Sequence, residues 1–217
     1  MGRTMYSWLL LVSLATAAEP LEDGTLLFLE NCSSVVQRST NSTVGHVAIV
    51  MHEERQPWVY EAIPGGVRRV TADEYYAELS RLNVRKNEDH QIRAFALRPE
   101  RPFTAAERQA MRQYLEEQIG RRYSVKNYVR GEEGRGIHCS ELASQAMNAS
   151  GRYQWEHCYS INPSHLQELI DPTYRDAAVV DLPTVAEETW CQRSQRRWDH
   201  IRTWCAWSCG EALSFCR

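Results

Sequence analysis

Gly45-His46-Val47-Ala48-Ile49-Val50-Met51, followed across a polar, Pro57-containing turn by Trp58-Val59-Tyr60-Glu61-Ala62, is the stretch on which the fold turns. The first run is apolar and β-branched enough for a buried strand, and the second is its hairpin partner. Each run contains one ionisable residue, His46 in the first and Glu61 in the second. A lone imidazole and a lone carboxylate on adjoining buried strands call for each other, because buried polar groups need partners.

Working outward, Asp23-Gly24 turns into an apolar strand over 25–29, and a Ser-, Thr- and Asn-rich loop spans 30–44. Pro64-Gly65-Gly66 turns into a further strand over 67–70, and 91–97 alternates as another. Three Thr-x-x-Glu capping boxes announce helices, at Thr71 with Glu74, Thr104 with Glu107, and Thr184 with Glu187. Gly120 closes the helix over 105–119. A glycine-rich loop over 131–136 leads to a helix that starts near His138 or Cys139 and ends around Ser150-Gly151. A shorter helix follows Asn162-Pro163. Strands precede helices, so the class is α+β, a small antiparallel sheet packed with helices.

The net charge of −3 over 217 residues, with Lys86 and Lys126 the only lysines, provides no basic stripe for nucleic acid. Arg3, an apolar run over 8–14 and small residues over 15–18 have the form of a cleaved export signal, residues 1–18. The main domain is then 19–184, and 185–217 is an extension. No other stretch reaches the roughly eighteen apolar residues of a membrane span, so no integral segment is expected after cleavage. A secreted or periplasmic location follows, and with it disulfides. Of the seven cysteines, Cys139 alone sits in a patterned helix start, so three bridges and a free Cys139 are expected. Cys191, Cys205, Cys209 and Cys216 would bridge among themselves or to Cys158, with Cys32 the remaining member. With Trp190, Trp198, Trp204 and Trp207 the tail then forms a disulfide-stapled helical cap that packs its aromatics. A membrane- or wall-binding role for the Trp and Arg mixture is the alternative.

Cysteine catalysis needs a thiolate, an imidazole that shares its proton and a third polar group that fixes the imidazole's tautomer. A thiol in the first turn of a helix gains further from the dipole and the unpaired N–H groups there. Ile137-His138-Cys139-Ser140-Glu141-Leu142 supplies that placement. Taken singly, each residue has an inert reading: Cys139 shares a helix face with Leu142, Ala143 and Ala146, His46 could be a satisfied core histidine, and Glu61 an exposed strand residue. Two His-Cys pairs, 138–139 and 157–158, invite a zinc site, but adjacent helical residues point apart. No metal or cofactor is expected.

Asp-Gly before an apolar strand, Gly-His-Val-Ala-Ile-Val, Val-Tyr-Glu-Ala with a following Gly-Gly-Val, then Tyr123 and Cys139-Ser140-Glu141-Leu142 form a distinctive order over residues 23–151. It resembles the YiiX-like branch of the NlpC-related papain superfamily, in which a circular permutation puts the histidine hairpin before the cysteine helix. The resemblance implies Cys139 as nucleophile, His46 as base, Glu61 as the third polar residue and Tyr123 on the oxyanion side of the substrate site. It also implies hydrolysis or transfer of an acyl group from an amide or ester through a thioester. The substrate would be a cell-wall peptide, as in NlpC-type peptidases, or a lipid acyl group, as in lecithin:retinol acyltransferase-like proteins. The tail over 186–217 and the Gly-Ile-His-Cys approach depart from the family pattern. A non-catalytic binding module on the same scaffold is the competing function, and oligomeric state is not written in the sequence.

Overall fold

The computed structural model describes residues 21–32, 42–84, 86–175 and 177–215. The export signal expected over 1–18, residues 33–41 of the expected loop and Cys216 lie outside them. The described elements are β1 (Leu26–Glu30), β2 (Val44–Glu53), β3 (Gln56–Ile63), β4 (Gly66–Thr71), α1 (Ala72–Asn83), β5 (Arg93–Leu97), α2 (Ala105–Gln118), α3 (Lys126–Arg130), α4 (Cys139–Ala149), α5 (Pro163–Ile170), β6 (Ala178–Val179) and α6 (Trp190–Phe215). The six strands form one sheet in the order β4-β3-β2-β1-β5-β6, with every neighbouring pair antiparallel.

Both faces of the central strands are covered, which explains why β1 and β2 read as near-continuous apolar runs rather than as alternations. On one face Phe28, Val47, Ile49 and Tyr60 meet Leu142, Ala146 and Met147 of α4. On the other, Leu27, Ala48, Val50 and Val59 meet Ala72, Tyr75 and Leu79 of α1. Each large side chain so buried contributes about 1.5–3 kcal/mol, and this two-sided grip fixes α4 against the hairpin of β2 and β3.

Thr71 and Thr104 cap their helices through complete capping boxes. The third box does not form. The helix there starts at Trp190, where Thr189 Oγ1 accepts from Gln192 N–H and Gln192 Oε1 accepts from Thr189 N–H. Residues near 184 stay extended because Val180 N–H pairs with Ala94 O at 2.9 Å and Val180 and Leu182 pack on the second face. The single turn α3 and the two-residue β6 are too short to leave a periodic signal.

The expected disulfides are absent among the described residues: Cys32, Cys139, Cys158, Cys191, Cys205 and Cys209 are free thiols. Continuity of α6 is the reason. Cys191 and Cys205 are fourteen residues apart on one helix, about 21 Å of rise, far beyond the reach of a disulfide. Cys158 instead lies under Asn148 Nδ2 at 3.3 Å. Nor does the tail pack its aromatics as a cap would. Trp190, Trp198 and Trp204 are largely exposed, and only Trp207 is seated, with Nε1 donating to Tyr123 O at 3.0 Å and its ring 5.5 Å from the tyrosine ring.

Candidate active site

His46 stands beside an irregularity in β2. Leu29 pairs with His46 while the next residue, Glu30, pairs with Val44, so Gly45 is the extra residue of a bulge. Bulges bend a strand and re-aim the side chain beside them, which gives the glycine before the histidine a structural role. His46 Nε2 lies 2.8 Å from Glu61 Oε2, with the two side chains 13% and 4% exposed. With Nε2 engaged, Nδ1 is the ring atom left for the thiol of Cys139, the neighbour that does most to raise the ring's pKa.

Cys139 is the first residue of α4, and the chain around it is held on three sides. Ile137 forms a parallel bridge with Tyr123, fixed by Ser124 N–H to Ile137 O at 3.1 Å and Ile137 N–H to Arg122 O at 3.0 Å. Gly136 permits that approach, since a Cβ there would stand 2.2 Å from Ser124 Cβ. His138 is the N-cap: its Nδ1 accepts from Glu141 N–H at 3.3 Å, and Nε2 donates to Tyr159 O at 2.9 Å. Glu141, wholly buried, receives Asn127 Nδ2 at 3.3 Å on one oxygen. The same Nδ2 group donates to Gly136 O at 2.9 Å, tying the glycine-rich loop to the helix.

Charge follows from these contacts. Burial would raise the Cys139 thiol, but its interactions with His138 and His46 overcome it and lower the thiol to about 5. Burial would lower His46, but the contacts with Cys139 and Glu61 win and raise the ring to about 10. Burial would likewise raise Glu61, and His46 together with Arg68 pulls it below the usual carboxylate range. Both shifts favour a thiolate beside an imidazolium near neutral pH, the reactive form of a cysteine nucleophile. Burial raises Glu141 and Cys158 instead, and Cys32 is pushed up to about 12, burial being the first cause.

The structure thus brings Cys139, His46 and Glu61 into one chain of contacts and places Tyr123 on the segment zipped to the residues just before Cys139. Two participants escaped the sequence reading. Arg68 is the β4 partner of Glu61, donating Nε to Glu61 Oε1 at 2.8 Å and Nη2 to Glu78 Oε2 at 2.6 Å. His138 caps the helix and also helps to lower the Cys139 thiol. Neither is marked in the sequence alone, since the first depends on the β3–β4 register and the second on a hydrogen bond to Glu141 N–H. Among the described residues no group of three His, Cys, Asp or Glu is arranged to hold a metal. A cleft between the end of α1, β5 and residues 179–185 contains none of the site residues.

An α+β scaffold that presents a thiol at a helix N-terminus to a histidine from an earlier strand hairpin is that of a circularly permuted papain-like protein. Residues 20–169 match the family described as permuted papain-like amidase enzyme, YaeF/YiiX, C92 family, and the chain belongs to it. Among solved structures, the metalloprotein yiiX from Escherichia coli O157:H7 is similar at 17% identity and a TM-score of 0.49, over 76% of this chain and 98% of that one. No curated protein matches the chain.

Proposed function

We propose that the chain is a cysteine hydrolase that cleaves peptide-type amides, with Cys139 as nucleophile, His46 as acid and base, and Glu61 as the group that orients His46. The single observation behind this reading is the 2.8 Å contact of His46 Nε2 with Glu61, which leaves Nδ1 to a thiol at the start of α4. The Cys139 thiolate attacks the amide carbonyl carbon. The first N–H groups of α4 stabilise the oxyanion, with the Tyr123 segment closing that side. As the C–N bond breaks, His46 gives its Nδ1 proton to the leaving amine. A water, deprotonated by the now neutral His46, attacks the thioester, and its collapse releases the carboxylic acid and restores the thiolate. Membership of an amidase family favours a peptide over a lipid acyl donor, and cell-wall peptides are the first substrates to test.

Incubation of the protein with such peptides should release the amine-side product of the peptide and leave its acyl group on Cys139 as an adduct that mass spectrometry detects. Cys139→Ser and His46→Ala should each abolish turnover, whereas Glu61→Gln should keep a reduced rate, because an orienting group does not itself make or break the bond. A folded Cys139→Ser variant with the parent rate would end the thiol mechanism, whereas a folded parent protein with neither turnover nor a Cys139 adduct would favour the binding module.

A further inference from the structure

Helix α6 meets the body of the protein along the side that carries Thr203, Trp207 and Gly210. At about 100° per residue, Thr203, Trp207 and Gly210 share that side: a Cβ at Gly65 would lie 3.2 Å from Thr203 Cγ2, one at Gly210 would lie 2.7 Å from Arg122 Nη2, and Trp207 bonds Tyr123 O. Trp190, Trp198 and Ile201 fall on the roughly opposite side and Trp204 on the flank between the two, its ring 5.3 Å from that of Trp207; the four are 77%, 65%, 40% and 43% exposed in the order 190, 198, 201, 204. Residues 190–204 span about 21 Å, so this is one aligned apolar strip rather than scattered single exposures, and such strips mark interaction sites. Exposed Arg197 lies within it and exposed Arg202 at its edge.

The chemistry selects the partner. Tryptophan has an apolar body and a polar N–H, the combination that settles at the boundary of headgroups and acyl chains. An arginine amid the strip would be desolvated beside its own copy in a self-paired helix. Against anionic headgroups it is complemented, and its long stem lets the guanidinium reach them. No helix among the described residues is long and apolar enough to cross a bilayer, so α6 suits lying on one.

We propose that α6 seats the protein on an anionic lipid surface through the strip of Trp190, Trp198, Ile201 and Trp204, with Arg197 and Arg202 binding the headgroups. Because Trp207 anchors the other side of the same helix to the Tyr123 segment, the seated protein holds the candidate site close to that surface. The proposal does not depend on hydrolysis.

Co-sedimentation of the full chain with vesicles tests it, using phosphatidylcholine alone and phosphatidylcholine with about a third phosphatidylglycerol. Binding should require the anionic lipid and fall with added salt. Arg197→Gln with Arg202→Gln should weaken partitioning about twenty-five-fold, about fivefold per charge near an anionic surface. Trp190→Ala with Trp198→Ala should weaken it at least tenfold without moving the melting temperature. Any vesicle binding through the apolar residues 8–14 would be common to parent and variants, so the difference between them reports α6. The proposal is overturned if the variants sediment like the parent, if the parent binds neutral and anionic vesicles alike or neither, or if gel filtration shows that the strip joins two copies of the chain.

Discussion

Replacing Arg68 by methionine keeps most of the side-chain stem and removes the charge that faces Glu61. In the folded protein Glu61 is 4% exposed and is held by His46 at 2.8 Å and by Arg68 Nη2 at 2.6 Å. Stripping one partner from a fully buried ion pair costs about 3–5 kcal/mol, because the other charge is left stranded. Arg68 is 35% exposed and His46 still holds the carboxylate, so solvent screening brings the expected loss down to about 2 kcal/mol. For a domain of this size that is a fall of about 4–8 °C in melting temperature. The coupling requires a charged Glu61, which a double-mutant cycle tests. In a Glu61→Gln background Arg68→Met should cost less than about 1 kcal/mol, since only its contact with the half-exposed Glu78 remains to be lost. Urea unfolding of the four proteins at neutral pH gives the coupling energy. If Arg68→Met costs the same in both backgrounds, within about 0.5 kcal/mol, Arg68 does not neutralise the Glu61 carboxylate and the charge chain is wrong.

His138→Ala should destabilise the protein by about 1–2 kcal/mol through loss of the α4 cap, and His138→Asn, a good capping residue, should recover most of that in thermal melts. Peptide mapping without reduction should find no bridge among Cys32, Cys139, Cys158, Cys191, Cys205 and Cys209. Brief native alkylation should modify the exposed Cys191, Cys205 and Cys209 and spare Cys32, whose thiol burial pushes up to about 12; a Cys191–Cys205 bridge would mean that α6 is not one continuous helix.

The hairpin of β2 and β3, the helix from Cys139 and the meeting of His46 with Glu61 were legible because each rests on local sequence. Apolar runs, a glycine-rich approach and isolated ionisable residues need no long-range information. Arg68 was not singled out because its role depends on the β3–β4 register, which pairs it with Glu61. His138 was weighed only as a metal ligand, because a cap is recognised by its hydrogen bond to Glu141 N–H rather than by residue type. The tail misled for a compositional reason: four cysteines and four tryptophans suggested a stapled, packed cap, whereas one uninterrupted helix keeps Cys191 away from Cys205 and turns three of the tryptophans outward. The unformed box at Thr184 shows local capping chemistry yielding to the extended packing of Val180 and Leu182 on the sheet.

The central claim is that Cys139 rests as a thiolate held by histidine, and the pH dependence of its alkylation tests this most directly. Iodoacetamide modification of Cys139, followed by mass spectrometry of its peptide between pH 4 and pH 10, tracks the thiolate fraction. The folded pKa is lowered, so reactivity should be lost as pH falls through about 5 and fully present at neutral pH, and His46→Ala should move the midpoint upward. A midpoint near the ordinary thiol value of 9.0, or a Cys139 that stays unmodified at neutral pH while the protein is folded, would contradict the account.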